Sequence, residues 1–95
     1  MLTVIALYKA RLGMGDQVAA ILSKHVIATR AEAGCVEFIA CRGLDDRDRF
    51  ALFEQYEDEA AFEAHRTSDH FRRYIESGVV PLLDERVWQR YEEVE

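Results

Sequence analysis

The chain has 95 residues, 49% of them hydrophobic and 32% charged, and it carries a formal net charge of −6. These values are typical of one small globular domain, here residues 1–95, and they exclude a disordered chain. The acidic balance argues against nucleic acid as a partner, because phosphate binding needs a basic surface. No run of about 18 apolar residues is present, so no membrane-spanning helix is expected.

The two cysteines, Cys35 and Cys41, bear on the compartment. They are six residues apart in a strand-like stretch. That spacing places them roughly 20 Å apart, beyond the reach of a disulfide bond. The N-terminal segment is apolar, but it has no basic leader before it and no small-residue cleavage site after it. Free thiols in a chain without a signal sequence favour the cytoplasm.

The first half of the chain predicts a strand, a helix and a second strand. Leu2–Ala10 and Cys35–Arg42 are rich in aliphatic and aromatic residues and are apolar on both sides. Between them, Gln17–Ala33 carries apolar residues at helical spacing, with Asp16 as a fitting N-cap and Gly34 as a fitting C-cap.

The second half predicts a strand, two helical pieces and a last strand. Arg49–Glu57 alternates so that one face carries Phe50, Leu52, Glu54 and Tyr56. Asp58 is a good N-cap for a short helix through His65. A second helical piece ends at Gly78, and Arg86–Glu92 forms the last strand. That second piece carries Phe71, Tyr74 and Ile75 on one face.

This order, β-α-β-β-α-β, predicts a ferredoxin-like α+β fold. Its antiparallel four-stranded sheet carries both helices on one face. Strands that are apolar on both sides need cover on both faces, and two helices cover only one. Ile5, Leu7 and Phe53, or their alternates, therefore need a further layer. A second copy of the chain is the simplest source, so a homodimer through the sheet faces is predicted.

Three short motifs resemble one known family. Glu32–Cys35 (EAGC) resembles the E-P-G-C junction of the antibiotic biosynthesis monooxygenase family, with Ala33 in place of the usual proline. Phe53–Tyr56 followed by Ala61-Phe62 and His65 resembles its E-x-W/Y…A-F/L-x-x-H pattern. The stretch SDHF at residues 68–71 resembles the S-x-H-F that often follows.

The resemblance implies a dimeric α/β barrel with a pocket between helices and sheet in each subunit. It also implies activities such as cofactor-independent monooxygenation of quinols and phenolic polyketides, breakdown of signal molecules, or haem degradation. The haem branch uses an Asn, Trp and His set. Here His65 stands at the Trp position, Tyr8 near the Asn position and Ile75 where the haem ligand is expected. The chain is therefore not expected to belong to the haem branch, and no cofactor is expected.

His65 is the candidate general base, because an imidazole accepts protons near cellular pH. Glu54 on the buried strand face needs a partner, and His65 is the natural one. Tyr8, Tyr56 and Arg90 are candidate donors to a bound phenolate. The expected substrates are dioxygen and a small aromatic compound such as a quinol.

Other interpretations of the same residues stay open. The Glu54–His65 pair could simply close the junction between strand and helix. His25 lies on an apolar helix face and is expected to line the core or the pocket. On an unbroken helix His70 would lie about 140° away from His65, so no metal site is expected. A non-catalytic dimer that binds a small apolar ligand, or an enzyme that isomerises or degrades a small carbonyl compound, are the alternatives to a monooxygenase.

Overall fold

The structure, a computed structural model that describes all 95 residues, has the predicted element order. The predicted ferredoxin-like α+β fold is thereby confirmed. The strands are β1 (Leu2–Ala10), β2 (Cys35–Arg42), β3 (Arg49–Tyr56) and β4 (Leu83–Glu92). The helices are α1 (Gly15–Arg30) and α2 (Glu59–Arg66), followed by a π-helical segment (Phe71–Val79) and a short 3₁₀ turn (Val80–Leu82).

The strands form one antiparallel sheet in the order β2-β3-β1-β4. The central pairing places Val4 opposite Glu54 and Tyr8 opposite Phe50. Because opposite residues share a face, the predicted alternation holds along both strands. Glu54 therefore lies on the face that the helices cover.

The core lies between the sheet and the helices, where α1 contributes a stripe of buried residues at helical spacing. The stripe consists of Val18, Leu22, His25 and Thr29. It packs against apolar residues of the π-helical segment and the covered sheet face, including Phe38, Leu52, Phe71, Ile75 and Val79. Two of the stripe's members are polar, so the core contains a polar region.

The other face of the sheet carries no helix. Its side chains include several large apolar residues that remain partly or largely exposed: Leu7, Ile39, Phe53, Val87 and Tyr91. We call these five residues the open face. The predicted two-sided apolar pattern of the strands is thus present in the fold.

Three predicted boundaries were wrong. Helix α1 begins at Gly15 after Met14, and ends at Arg30 rather than Ala33. The chain between α1 and β2 turns sharply, and a Cβ atom on Gly34 would collide with Ala61. Gly34 is therefore required by close packing and not as a C-cap. Strand β4 begins at Leu83 rather than Arg86, because it keeps pairing with β1 across a register shift.

The second helical region is broken in two. Asp58 caps α2 as predicted, accepting a hydrogen bond from the Ala61 amide at 2.8 Å. Past the end of α2, Ser68 Oγ donates to the His65 carbonyl at 2.7 Å and accepts from the Phe71 amide at 3.1 Å. These bonds end one helical segment and start the next in a new direction. None of the helices is long and apolar enough to span a membrane.

Candidate functional site

A single carboxylate oxygen joins the two histidines at the helix break. Glu32, in the turn after α1, places Oε2 at 2.8 Å from His65 Nδ1. The same oxygen is hydrogen-bonded to His70 Nε2. A carboxylate can only accept, so both imidazoles carry their protons on the nitrogens that face Glu32. The prediction that His65 and His70 point apart was wrong, because it assumed one unbroken helix.

Glu54 lies on the opposite side of His65. Its Oε1 accepts a hydrogen bond from the Tyr56 hydroxyl at 2.7 Å and lies 4.0 Å from His65 Nε2. The predicted Glu54–His65 contact is therefore longer than a hydrogen bond, and Glu32 is the carboxylate that binds His65. Burial raises the pKa of Glu54, and the Tyr56 hydroxyl only partly opposes this.

Both candidate tyrosines are buried with Glu54 on the covered face. Burial raises the pKa of Tyr8 to about 12, although Arg86 pulls it in the opposite direction. Burial and the nearby Glu54 also raise the pKa of Tyr56. Both phenols therefore stay protonated at cellular pH and can act as hydrogen-bond donors.

His25 lies beneath the two other histidines in the core. Its ring centroid is 5.3 Å from that of His65 and 5.6 Å from that of His70. The Thr29 hydroxyl lies 3.3 Å from its Nε2, while its Nδ1 has no hydrogen-bond partner. Burial, with His65 and His70 nearby, lowers the pKa of His25 to about 3. It is therefore a neutral histidine buried in the core.

A small cavity lies beside His65, with a volume of about 20 Å³. This is room for about one water molecule. Phe62 and Trp88 meet edge to face at its rim with ring centroids 5.7 Å apart, and the Arg66 guanidinium lies 4.8 Å from the Trp88 ring. The lining consists of Val4, Ala6, Tyr8, Glu54, Phe62, His65, Arg66, Phe71, Arg86 and Trp88.

Volume alone does not locate the site. A concavity of about 340 Å³ lies between α1 and the β2 edge of the sheet. Its lining contains no histidine, aspartate or glutamate. A second concavity, of about 440 Å³, includes Tyr8 in its lining but neither His65 nor Glu54. The small cavity combines apolar walls with His65, Glu54 and Tyr8, and convergent polar groups of shifted pKa are the usual signature of an active site.

Arg90 is not part of this site. Its guanidinium binds Glu59 through two 3.0 Å contacts at the protein surface. Arg86 lies on the same face of β4 as Trp88 and Arg90, two residues before Trp88. It lines the cavity. The two arginines are four residues, or about 13 Å, apart along the strand. The arginine that lines the cavity is therefore Arg86 and not the predicted Arg90.

The sequence also missed Glu32 and Trp88. Glu32 lies in the EAGC junction, at the end of the helix predicted over Gln17–Ala33, and it is not among the predicted site residues. Its position in a motif shared with a known family was the signal that could have identified it. Trp88 has the same strand parity as Arg86, and pairing β4 with Tyr8 would have placed both residues on the covered face.

With Nδ1 bound to Glu32, a neutral His65 has its lone pair on Nε2. That atom lies on the side of Glu54, and His65 itself lines the cavity. The carboxylate behind the ring stabilises the imidazolium that forms when Nε2 accepts a proton. The arrangement is therefore that of a histidine base oriented by a carboxylate.

Comparison with known proteins supports the motif resemblance. Residues 1–77 match the family model described as antibiotic biosynthesis monooxygenase. The chain belongs to this family. Among curated proteins, none matches the sequence significantly.

Solved structures share the family's fold over nearly the whole chain. The protein PA3566 of Pseudomonas aeruginosa is 31% identical with a TM-score of 0.92, over 99% of this chain and 94% of that one. Rv0793 of Mycobacterium tuberculosis is 27% identical with a TM-score of 0.90, over 99% and 95%. An antibiotic biosynthesis monooxygenase is 24% identical with a TM-score of 0.93, over 100% of both chains.

Proposed function

We propose that the protein is a cofactor-independent monooxygenase that oxidises a small quinol or phenol with dioxygen, using His65 as general base. The observation that carries this proposal is the position of His65. Its Nδ1 is bound to Glu32 at 2.8 Å, and its ring lines the cavity that also contains Glu54 and Tyr8. Membership of a monooxygenase family supports the reaction class.

The first step is transfer of a phenolic proton to His65 Nε2. With a phenol pKa of about 10 and an imidazole pKa of about 6.5, the transfer is uphill by about 5 kcal/mol. Three groups offset this cost. Glu32 stabilises the imidazolium, and Arg86 together with the protonated Tyr8 hydroxyl stabilises the phenolate.

The substrate supplies the electrons. The phenolate is electron-rich enough to reduce dioxygen, and a carbon–oxygen bond then forms on the ring. For a hydroquinone, one oxygen atom enters the ring and the other leaves as water, so that hydroquinone and dioxygen give a hydroxyquinone and water. Atoms and electrons balance without an external reductant. The proton held by His65 leaves with the water.

The cavity must open for an aromatic ring to enter, because its volume of about 20 Å³ is that of a single water molecule. The proposed entrance is at Trp88 and Arg66, since both line the cavity and neither is fully buried. If these two side chains moved aside, a substrate could enter and place its hydroxyl group next to His65 Nε2.

We also propose that two chains pair through the open face. Leu7 and Val87 are each 54% exposed and lie side by side on neighbouring strands. Ile39 and Phe53 lie opposite each other on the neighbouring pair of strands, and Tyr91 lies further along β4 on the same face. Such a patch on a small domain marks a contact surface. Packing of two such sheets is what the fold needs to cover both faces.

Oxygen consumption tests the reaction. Wild type is assayed with a panel of substituted hydroquinones beside His65→Ala, with Glu63→Gln on the exposed side of α2 as the control. Consumption by wild type and control, with loss of roughly a hundredfold or more in His65→Ala, is expected for removal of a general base. No consumption above background with any hydroquinone would overturn the reaction. Equal activity of His65→Ala and wild type would overturn the role of His65.

A further inference from the structure

We propose that Glu32, His65 and His70 form a binding site for one divalent transition-metal ion of the zinc type. Their ligand atoms, one carboxylate oxygen and two imidazole nitrogens, all lie within 4.8 Å of one another. Two histidines and a glutamate are an established zinc ligand set that leaves further positions open for water. The proposal does not depend on the proposed oxidation of quinols.

The ligands are held by three separate pieces of backbone. Glu32 lies in the turn after α1, His65 in the last turn of α2 and His70 just before the π-helical segment. The Ser68 hydrogen bonds connect the end of α2 to the start of the π-helical segment. Because each ligand is anchored by its own segment, the three converge without being neighbours on one helix.

Metal binding requires the Glu32 and His65 ligand atoms to move apart slightly. Tetrahedral metal bonds of about 2.05 Å separate neighbouring ligand atoms by roughly 3.3 Å. The Glu32–His65 separation is 2.8 Å, a hydrogen bond, so the two atoms would move apart by about half an ångström. An ion would replace the two protons now shared with the carboxylate oxygen, as metal binding generally does.

The surroundings suit a cation. Glu54 Oε1 lies 4.0 Å from the Nε2 of His65, on the side away from Glu32, so a second carboxyl group lies close to this ligand. His25 contacts both imidazoles, and its buried Nδ1 has no hydrogen-bond partner. The His25 ring thus lies next to the cluster, while the three ligand atoms belong to Glu32, His65 and His70.

An ion also has a route to the site. The side chains of Glu32 and His70 are 17% and 22% exposed, whereas His65 is buried at 2%. The site thus opens to solvent through its outer two ligands. The net charge of −6 adds a long-range attraction for cations.

The test is titration of the chelator-treated full chain with Zn²⁺, followed by isothermal calorimetry and by thermal unfolding. We expect saturation at one ion per chain and a rise in the melting temperature with Zn²⁺ concentration, because an ion that binds only the folded state stabilises it. Glu32→Gln and His70→Gln should each weaken binding by roughly tenfold or more. Both residues are partly exposed, so both variants should fold.

Two controls separate this site from other zinc binders. Cys35→Ser/Cys41→Ser should bind Zn²⁺ as wild type does, which excludes the free thiols. Glu63→Gln, an exposed glutamate of α2, should also bind as wild type does. No saturable binding by wild type, or binding that both Glu32→Gln and His70→Gln leave unchanged, would overturn the proposal. Loss of binding in the double cysteine variant alone would overturn it as well.

Discussion

His65 Nδ1 and Glu32 Oε2 lie 2.8 Å apart, across 33 residues of sequence. This contact decides which side of the imidazole can do chemistry. The proton stays on Nδ1, and the lone pair of Nε2 faces the side of Glu54. Glu32 is thus the residue that orients the proposed base, a role the sequence had suggested for Glu54.

Glu32→Gln should lower the rate of oxygen consumption, because the neutral amide no longer stabilises the imidazolium. We expect kcat to fall by roughly tenfold or more, with KM little changed, since the substrate does not touch Glu32. Steady-state kinetics with the best hydroquinone measure both constants. Glu63→Gln is the control. A variant that raises KM alone would show that Glu32 shapes the pocket and does not act through His65.

Glu54→Gln should stabilise the fold at neutral pH. Burial raises the pKa of Glu54, so the folded protein holds this proton more tightly than the unfolded chain. The resulting stability is complete below the unfolded pKa, near pH 4.5, and is lost as the pH rises through the folded pKa. A glutamine cannot ionise, and its carbonyl can still accept from Tyr56. Urea unfolding at pH 7 should therefore shift to higher urea in Glu54→Gln.

The exposed Glu63 on α2 supplies the control for this experiment. Glu63→Gln should unfold at the same urea concentration as wild type, because its side chain is exposed on the helix side of the sheet. A lower midpoint for Glu54→Gln at pH 7 would contradict the assignment of a destabilising buried charge. Measured beside the oxygen assay, the two variants also show whether the site trades stability for activity.

Tyr8→Phe should reduce the loss of folding stability that occurs as the pH rises above 10. The pKa of Tyr8 is about 12 in the fold against 10.0 ordinarily, so the folded state holds the phenol proton more tightly. Stability is therefore complete below pH 10 and falls as the pH rises from 10 to 12, by about 3 kcal/mol for this one group. Tyr56 contributes in the same sense, so part of the slope should remain. Guanidinium unfolding at a series of pH values between 8.5 and 11 measures the slope of the free energy of unfolding against pH.

The half-buried Tyr74 serves as the matched control for this titration. Tyr74→Phe removes the same hydroxyl from outside the cavity and should keep the wild-type slope. An unchanged slope in Tyr8→Phe would show that Tyr8 is solvated when the protein is in solution. That result would also indicate that the cavity is open more often than its small volume suggests.

Leu7→Glu should produce a monomer. It places a charge at the centre of the open face, where pairing with another sheet would have to bury it. Light scattering at micromolar concentration should give twice the 11.0 kDa chain mass for wild type and the single mass for the variant. Ile27→Glu, on the solvent side of α1 and 74% exposed, should leave the mass unchanged. A monomeric wild type would disprove pairing through this face.

Zinc should inhibit the monooxygenase reaction if both proposals hold. An ion on His65 Nδ1 leaves the ring proton on Nε2, so the atom that must accept the phenolic proton is already protonated. Adding Zn²⁺ should therefore suppress oxygen consumption by wild type, and a chelator should restore it. His70→Gln should need roughly tenfold more Zn²⁺ for the same inhibition. Inhibition of equal strength in His70→Gln would place the inhibitory ion elsewhere.

The sequence predicted the fold well because its signals are local. The alternation in β1 and β3 placed Glu54 and Tyr8 on the covered face, and Asp58 marked the start of α2. Helix ends were less accurate. At Gly34 the reason for the glycine is its contact with Ala61, which no local pattern shows. The register of β4 against β1 likewise decided between Arg86 and Arg90.

The site was predicted in part. His65, Glu54 and Tyr8, which the sequence proposed as members of one site, line the same cavity. Glu32 was missed because its contact with His65 depends on how the end of α1 packs near the end of α2. Contacts between distant segments follow from tertiary packing, which spacing rules do not contain.

The break between α2 and the π-helical segment makes the histidine cluster sensitive to chain length. An α-helix turns by about 100° per residue, so one residue added or removed between Arg66 and Asp69 would swing His70 away from Glu32. Such a change would alter no side chain of the cluster. Among relatives that keep all three residues, the number of residues in this short loop therefore separates chains that can assemble the cluster from chains that cannot.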